Sequence, residues 1–151
     1  MADRLTSLDT SFLYMEDVST VMHVGAVMVF DPYSSDFRES LNVVHSEGVL
    51  PATEDAARSY ADGLKASEEK SHLKMTVTNS GVFDMGERPA CFVEFDVISP
   101  LNAKPVHTWS VVTSGKHNSF VLTCTALTED FEWYRPLFER MLKTFRLAAD
   151  R

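Results

Sequence analysis

Near the C-terminus, Phe131, Tyr134, Phe138, Met141, Leu142 and Phe145 recur at three- and four-residue steps, and Trp133 and Leu137 widen the stripe. That spacing predicts an amphipathic helix whose broad aromatic face has to be taken out of water. A face of this width needs a flat apolar layer to lie on, so the rest of the chain is read for a sheet that supplies one. Pro136 is expected in the first regular turn of the helix, with Thr128 to Tyr134 forming a looser lead-in.

The sheet is written in a series of alternating segments. Phe37 to His45 sets Phe37, Leu41 and Val43 against Arg38, Ser40 and Asn42. Leu73 to Asn79 places Met75 and Val77 on one side, and the next segment, to Ile98, puts Cys91, Val93, Phe95 and Val97 on a single face. The glycines Gly81 and Gly86 between these two predict a hairpin connection. Val106 to Thr113 and Ser119 to Leu127 follow, split by Ser114-Gly115-Lys116-His117-Asn118. In the latter, Phe120, Leu122, Cys124 and Ala126 oppose Thr123 and Thr125.

A second helix is expected after Thr53. Threonine is a favourable N-cap, Glu54 and Asp55 suit a first turn, and Ala56, Ala57, Tyr60, Ala61 and Leu64 share one stripe. Charged residues from Ser67 to Ser71 end it. Upstream, Ser7 caps a short helix carrying Leu8, Phe12 and Leu13, and Val21 to Phe30 is nearly all apolar around His23 and Gly25. Such a run reads as a strand that is buried on both faces or paired with a partner. Asp31-Pro32-Tyr33-Ser34-Ser35 is a turn and marks a boundary, giving a segment 1–35 and a module 36–151. The fold class that results is α+β: an antiparallel twisted sheet of about six strands packed against a C-terminal helix and a shorter second helix.

Composition narrows the function. At 151 residues and 44% hydrophobic content the chain can bury one real core. A net charge of −8, with 14 scattered Lys and Arg, argues against a nucleic-acid or anionic-membrane surface. No apolar run approaches the roughly 20 residues of a membrane span, and no signal sequence is read at the start, so a cytoplasmic location is the expectation. Cys91 and Cys124 lie in apolar alternating segments and read as core residues; whether they bridge is left open.

No catalytic, cofactor-binding or metal-binding residue is assigned, and no cofactor is expected. His23, His45, His72, His107 and His117 are isolated from one another. His107, beside Trp109, and His117, in the turn, lack a carboxylate or Cys/His grouping with metal spacing. Arg88, Glu94 and Asp96 read as a solvated polar patch on the outer face of the sheet.

Two stretches carry family resemblances. Leu5-Thr6-Ser7-Leu8-Asp9-Thr10-Ser11-Phe12-Leu13-Tyr14-Met15-Glu16, then Met22-His23-Val24-Gly25 and Phe30-Asp31-Pro32, resembles the start of the wax ester synthase/diacylglycerol acyltransferase family. The resemblance implies acyl-CoA chemistry driven by an HHxxxDG motif, whose second histidine is the general base. This sequence has no adjacent histidine pair and no HxxxD: the fourth residues after its histidines are Val27, Val49, Thr76, Val111 and Val121. The implication is therefore common ancestry for residues 1–32 without the activity.

Residues 37–147 resemble the PsbP/DcrB-like α/β sandwich family. The carriers are Phe37-Arg38-Glu39-Ser40-Leu41-Asn42-Val43-Val44, Gly86-Glu87-Arg88-Pro89-Ala90, Glu94-Phe95, Val121-Leu122-Thr123-Cys124-Thr125-Ala126 and Phe138 through Arg146. That family usually begins with an additional strand, and Val21 to Phe30 occupies its place. It is expected to pair with the open sheet edge, or else to drive association. The reading is a non-catalytic binding or assembly module, with a protein partner or homodimer reached through the N-terminal strand. A degenerate acyltransferase and a carrier of a lipid or acyl ligand held between sheet and final helix are the alternatives.

Overall fold

The computed structural model describes residues 14–15, 24–28, 39–68, 70, 73–86, 88–98 and 104–147. Its strands are β1 (Tyr14–Met15), β2 (Val24–Met28), β3 (Ser40–Glu47), β4 (Lys74–Asp84), β5 (Pro89–Ile98), β6 (Val106–Ser114), β7 (Asn118–Leu127) and β8 (Arg146–Leu147). Helix α1 (Glu54–Glu68) lies between β3 and β4, and helix α2 (Phe131–Lys143) follows β7. Six strands form one antiparallel sheet in the order β2-β3-β7-β6-β5-β4, while β1 and β8 pair in parallel. The fold is α+β, with the helices packed on the sheet.

Period-two alternation gives the sheet two apolar faces, and each has its own helix. Under α2 lie Leu41 and Val43 of β3, Phe120, Leu122, Cys124 and Ala126 of β7, and Trp109 and Val111 of β6. Phe131, Tyr134, Leu137, Phe138, Met141 and Leu142 descend onto them and are all buried, as is Phe145 just beyond the helix. The other face carries Cys91, Val93 and Phe95, with Ala56, Ala57 and Ala61 of α1 against it. Small alanines let that helix sit close. Its N-cap is as expected: Thr53 Oγ1 accepts the Ala56 amide at 3.1 Å.

Cys91 and Cys124 are both buried free thiols. They belong to clusters on opposite faces of the sheet, which keeps them from bridging.

Several expectations are corrected. Pro136 lies inside α2, because the helix already begins at Phe131; of the expected loose lead-in, Thr128 to Asp130 is a turn, but Phe131 to Tyr134 is the helix's first turn. Helix α1, with 15 residues, is longer than α2 with 13. The first strand of the central hairpin does not stop at Asn79. It runs to Asp84, and Gly81 is a paired strand residue opposite Phe92 rather than part of a turn. Glycine suits this position because a Cβ there would stand 3.4 Å from the Phe92 ring. The turn follows β4, where Gly86 takes φ +80° and the Met85 amide donates to the Arg88 carbonyl at 2.9 Å.

The apolar N-terminal run supplies β2, which pairs antiparallel with β3 from Val24↔Val44 to Met28↔Ser40. The N-terminal segment thus closes the β3 edge from within the same chain. The short helix expected at Leu8 to Leu13 lies outside the described residues, as does His23.

The aromatic face of α2 is the largest single contributor to this core. Phe138→Ala is expected to destabilise the protein by about 3–5 kcal/mol in urea unfolding. Trp133→Ala, on the exposed side of the helix, should change stability by less than about 1 kcal/mol.

Candidate functional site

At the β5–β6 end of the α2-covered face the apolar packing gives way to an ionic cluster. Antiparallel register sets Asp96 opposite His107 and Glu94 opposite Trp109, so Glu94, Asp96 and His107 share one face. His107 Nδ1 lies 2.8 Å from Asp96 Oδ1, and His107 Nε2 lies 3.0 Å from Glu94 Oε1. Arg135 reaches down from α2 and donates to the same Glu94 oxygen. Its Nε and Nη2 also hold Glu132 through a two-pronged contact at 2.9 and 2.8 Å. Thr128, three residues before α2, donates its hydroxyl to Asp96 Oδ1 at 3.0 Å.

Aromatic rings close the cluster in. The His107 ring meets Phe131 edge to face with centroids 4.4 Å apart, and the Arg135 guanidinium lies 4.9 Å from the Phe131 ring centre and 5.2 Å from that of Trp109. The Glu94 side chain is only 7% exposed and that of His107 11%, so both charges are carried where water cannot screen them well.

Proton positions follow from the geometry. An ionised carboxylate accepts and never donates, yet both ring nitrogens of His107 face carboxylate oxygens. With Glu94 and Asp96 both ionised, both nitrogens donate, and His107 is an imidazolium in this arrangement. The titration tendencies agree. Burial alone would pull the His107 imidazole down, but its hydrogen bonds to Glu94 and Asp96 and their negative charges outweigh it and hold the group above its ordinary value. Burial alone would lift the Glu94 carboxyl; the hydrogen bonds and charges of His107 and Arg135 overcome that and keep it below its ordinary value. Chiefly through its bonds to Glu132, Arg135 is raised further still. The two thiols behave differently: burial pushes Cys91 up and Cys124 well up, leaving both as inert core groups.

The sequence expectations divide at this cluster. Glu94 and Asp96 do form a polar group, but Glu94 is buried under α2 rather than solvated on an outer face. Arg88 takes no part, since it donates to the Ser114 carbonyl at 3.0 Å. His107 has two carboxylate partners, both from the neighbouring strand, which adjacency in sequence does not reveal. His45 stacks on Phe120 in the core, with ring centroids 5.6 Å apart. His117 sits in the β6–β7 turn, its carbonyl accepting the Gly48 amide at 2.9 Å. Arg135 was missed altogether. Its signal was its position, four residues after Phe131 and three before Phe138, on the stripe that faces the sheet.

A separate shallow hollow of about 550 Å³ lies at the β4–β5 turn, lined by Ala52, Val82, Phe83, Asp84, Gly86, Pro89 and Ala90. Among the described residues no group of His, Cys, Asp and Glu is arranged to hold a metal ion. No helix among them is long and apolar enough to cross a membrane.

Residues 5–81 match the wax ester synthase/diacylglycerol acyltransferase catalytic domain. The chain belongs to that family. The match extends past Pro32, where the resemblance read from the sequence ended, and takes in β3, α1 and most of β4. No curated protein matches this family member. By shape it is similar to PA94 from Pseudomonas aeruginosa, a protein of unknown function, with a TM-score of 0.63 and 13% identity over 86% of each chain. It is also similar to cyanobacterial PsbP (CyanoP) from Synechocystis sp. PCC 6803, with a TM-score of 0.54 and 15% identity over 81% of each chain. At such identities the likeness concerns the fold, and it matches the PsbP-like architecture expected from residues 37–147.

The carboxylates are expected to stabilise the fold in the direction their shifts dictate. Glu94 has a lowered folded value, so its contribution is present above the ordinary glutamate range and is lost as pH falls through the folded value. Glu94→Ala should cost about 3 kcal/mol near neutral pH, because it removes the buried carboxylate that Arg135 and His107 share. The deficit relative to the parent protein should shrink steadily below about pH 4 in urea unfolding.

Proposed function

We propose that this member of the acyltransferase family is a non-catalytic binding or assembly module. The observation that supports the reading most directly is the state of its histidines. The sequence has no HHxxxDG motif, and His107, which meets two carboxylates, has both nitrogens committed to them beneath α2. A general base needs a free lone pair within reach of a substrate hydroxyl. Here both ring nitrogens donate to carboxylates, leaving no lone pair to offer, and Phe131 screens the ring.

On this reading the acyltransferase-derived N-terminus serves architecture. β2 completes the β3 edge, meeting inside the chain the demand for a pairing partner that its apolar sequence creates. The proposed partner is another protein or a second copy of the chain, engaged through this N-terminal part.

Membership of the family favours a second reading, a degenerate acyltransferase that keeps an acyl-binding role or pairs with a catalytically complete relative through residues 5–32. A lipid held between the sheet and the last helix is less favoured. Phe138, Met141 and Phe145 already fill that space.

Purified protein incubated with labelled acyl-CoA and long-chain alcohol or diacylglycerol acceptors should give no transfer above the uncatalysed rate. Turnover would refute the leading reading. Retention of an acyl species in native mass spectrometry, without turnover, would promote the second.

A further inference from the structure

We propose that the Glu94–His107–Asp96 bridge is a proton-operated clasp that seats the beginning of helix α2 on the sheet. Each carboxylate that His107 touches is also the anchor of the chain entering α2: Glu94 holds Arg135, and Asp96 holds the Thr128 hydroxyl. His107 joins the two anchors, one at each ring nitrogen.

Loss of the proton from either nitrogen sets a lone pair against a carboxylate oxygen about 3 Å away, turning an attraction into a repulsion. If Nε2 is deprotonated the strain falls on Glu94 and hence on Arg135. If Nδ1 is deprotonated it falls on Asp96 and hence on Thr128. Both routes loosen the same piece of chain. The remainder of α2 is unaffected, because Phe138, Met141 and Leu142 hold it through apolar packing alone.

The surroundings of His107 give the imidazolium few other partners. Facing it are Glu94 and Asp96 from β5, and Arg135 with its companion Glu132 from α2. From β7 comes uncharged Ala126, directly opposite in register. Lys104 and Glu129 pair with each other at 2.6 Å, both more than half exposed.

The direction is set by the sign of the shift. A histidine held above its ordinary value gives its full contribution below about pH 6.5 and loses it as pH rises through the raised folded value. The clasp is closed on the acid side and opens towards alkaline pH. Opening uncovers Phe131 and Trp109, apolar surface suited to the binding role proposed above but not dependent on it.

The test uses the full chain. Long-range nitrogen-15 NMR should show both ring nitrogens of His107 protonated at about pH 6. Amide exchange over residues 131–137, corrected for its intrinsic pH dependence, should rise by up to about tenfold per pH unit as His107 titrates. Protection of β7 should stay level. In His107→Gln the excess pH dependence should vanish. In Thr128→Val the exchange of the first turn should already be faster at low pH. A neutral single tautomer at about pH 6 would overturn the proposal on the parent protein alone, whether or not the variants fold. An excess pH dependence that survives His107→Gln, or one spread evenly over the whole molecule, would overturn it too.

Discussion

Everything in this molecule is arranged around the need to cover the aromatic face of α2. Phe131, Tyr134, Phe138, Met141 and Leu142 lie within 12 residues and are all buried. Burying rings and branched chains at this density yields more free energy than any other contact in the fold, on the order of 2 kcal/mol for each large side chain. Only a sheet several strands wide offers enough flat apolar area to receive them. β3, β7 and β6 are the strands that do, and their residues in that strip are Leu41, Val43, Phe120, Leu122, Cys124, Ala126, Trp109 and Val111. The α1 face is a lighter contact made by alanines, which explains why the two sides of the sheet differ so much in aromatic content.

The ionic cluster sits where that apolar strip ends. Burying Glu94 and His107 costs desolvation that a hydrocarbon pair would not incur. What the charged pair adds is direction, because hydrogen bonds fix the angle and height at which Arg135 and Thr128 meet the sheet. Apolar contact tolerates sliding of a helix, whereas a carboxylate shared between an imidazolium and a guanidinium does not. Stability and registration of α2 thus come from different interactions.

Family membership and fold pull in different directions and are reconciled by the N-terminal segment. The sequence match to the acyltransferase catalytic domain reaches Gly81, in the middle of β4. The architecture over most of the chain is that of PsbP-like proteins. β2 is the element that links them: it comes from the part with the most recognisable acyltransferase sequence and forms one edge strand of the sheet. Inherited sequence here has a structural use that does not require the inherited chemistry.

The sequence by itself determined the local periods. The helix stripe from Phe131 to Phe145, the Thr53 cap, the alternation in β3, β5 and β7, and the turn at Ser114 to Asn118 were all legible because each is settled by neighbours a few residues away. Strand β4 was cut short in the reading because Gly81 is a turn former in isolation, and only its place opposite Phe92 makes it a strand residue. Pro136 was placed too early because the pull of Phe131 and Tyr134 into the core starts the helix a turn sooner than local preference suggests. The ionic cluster was illegible for the same reason on a larger scale. Glu94 and Asp96, His107, Thr128 and Arg135 come from two strands, a turn and a helix, so the field each one feels exists only after register and helix docking have been set. Periodicity is a property of the chain; a pKa, a shared proton and a buried charge belong to the packed molecule.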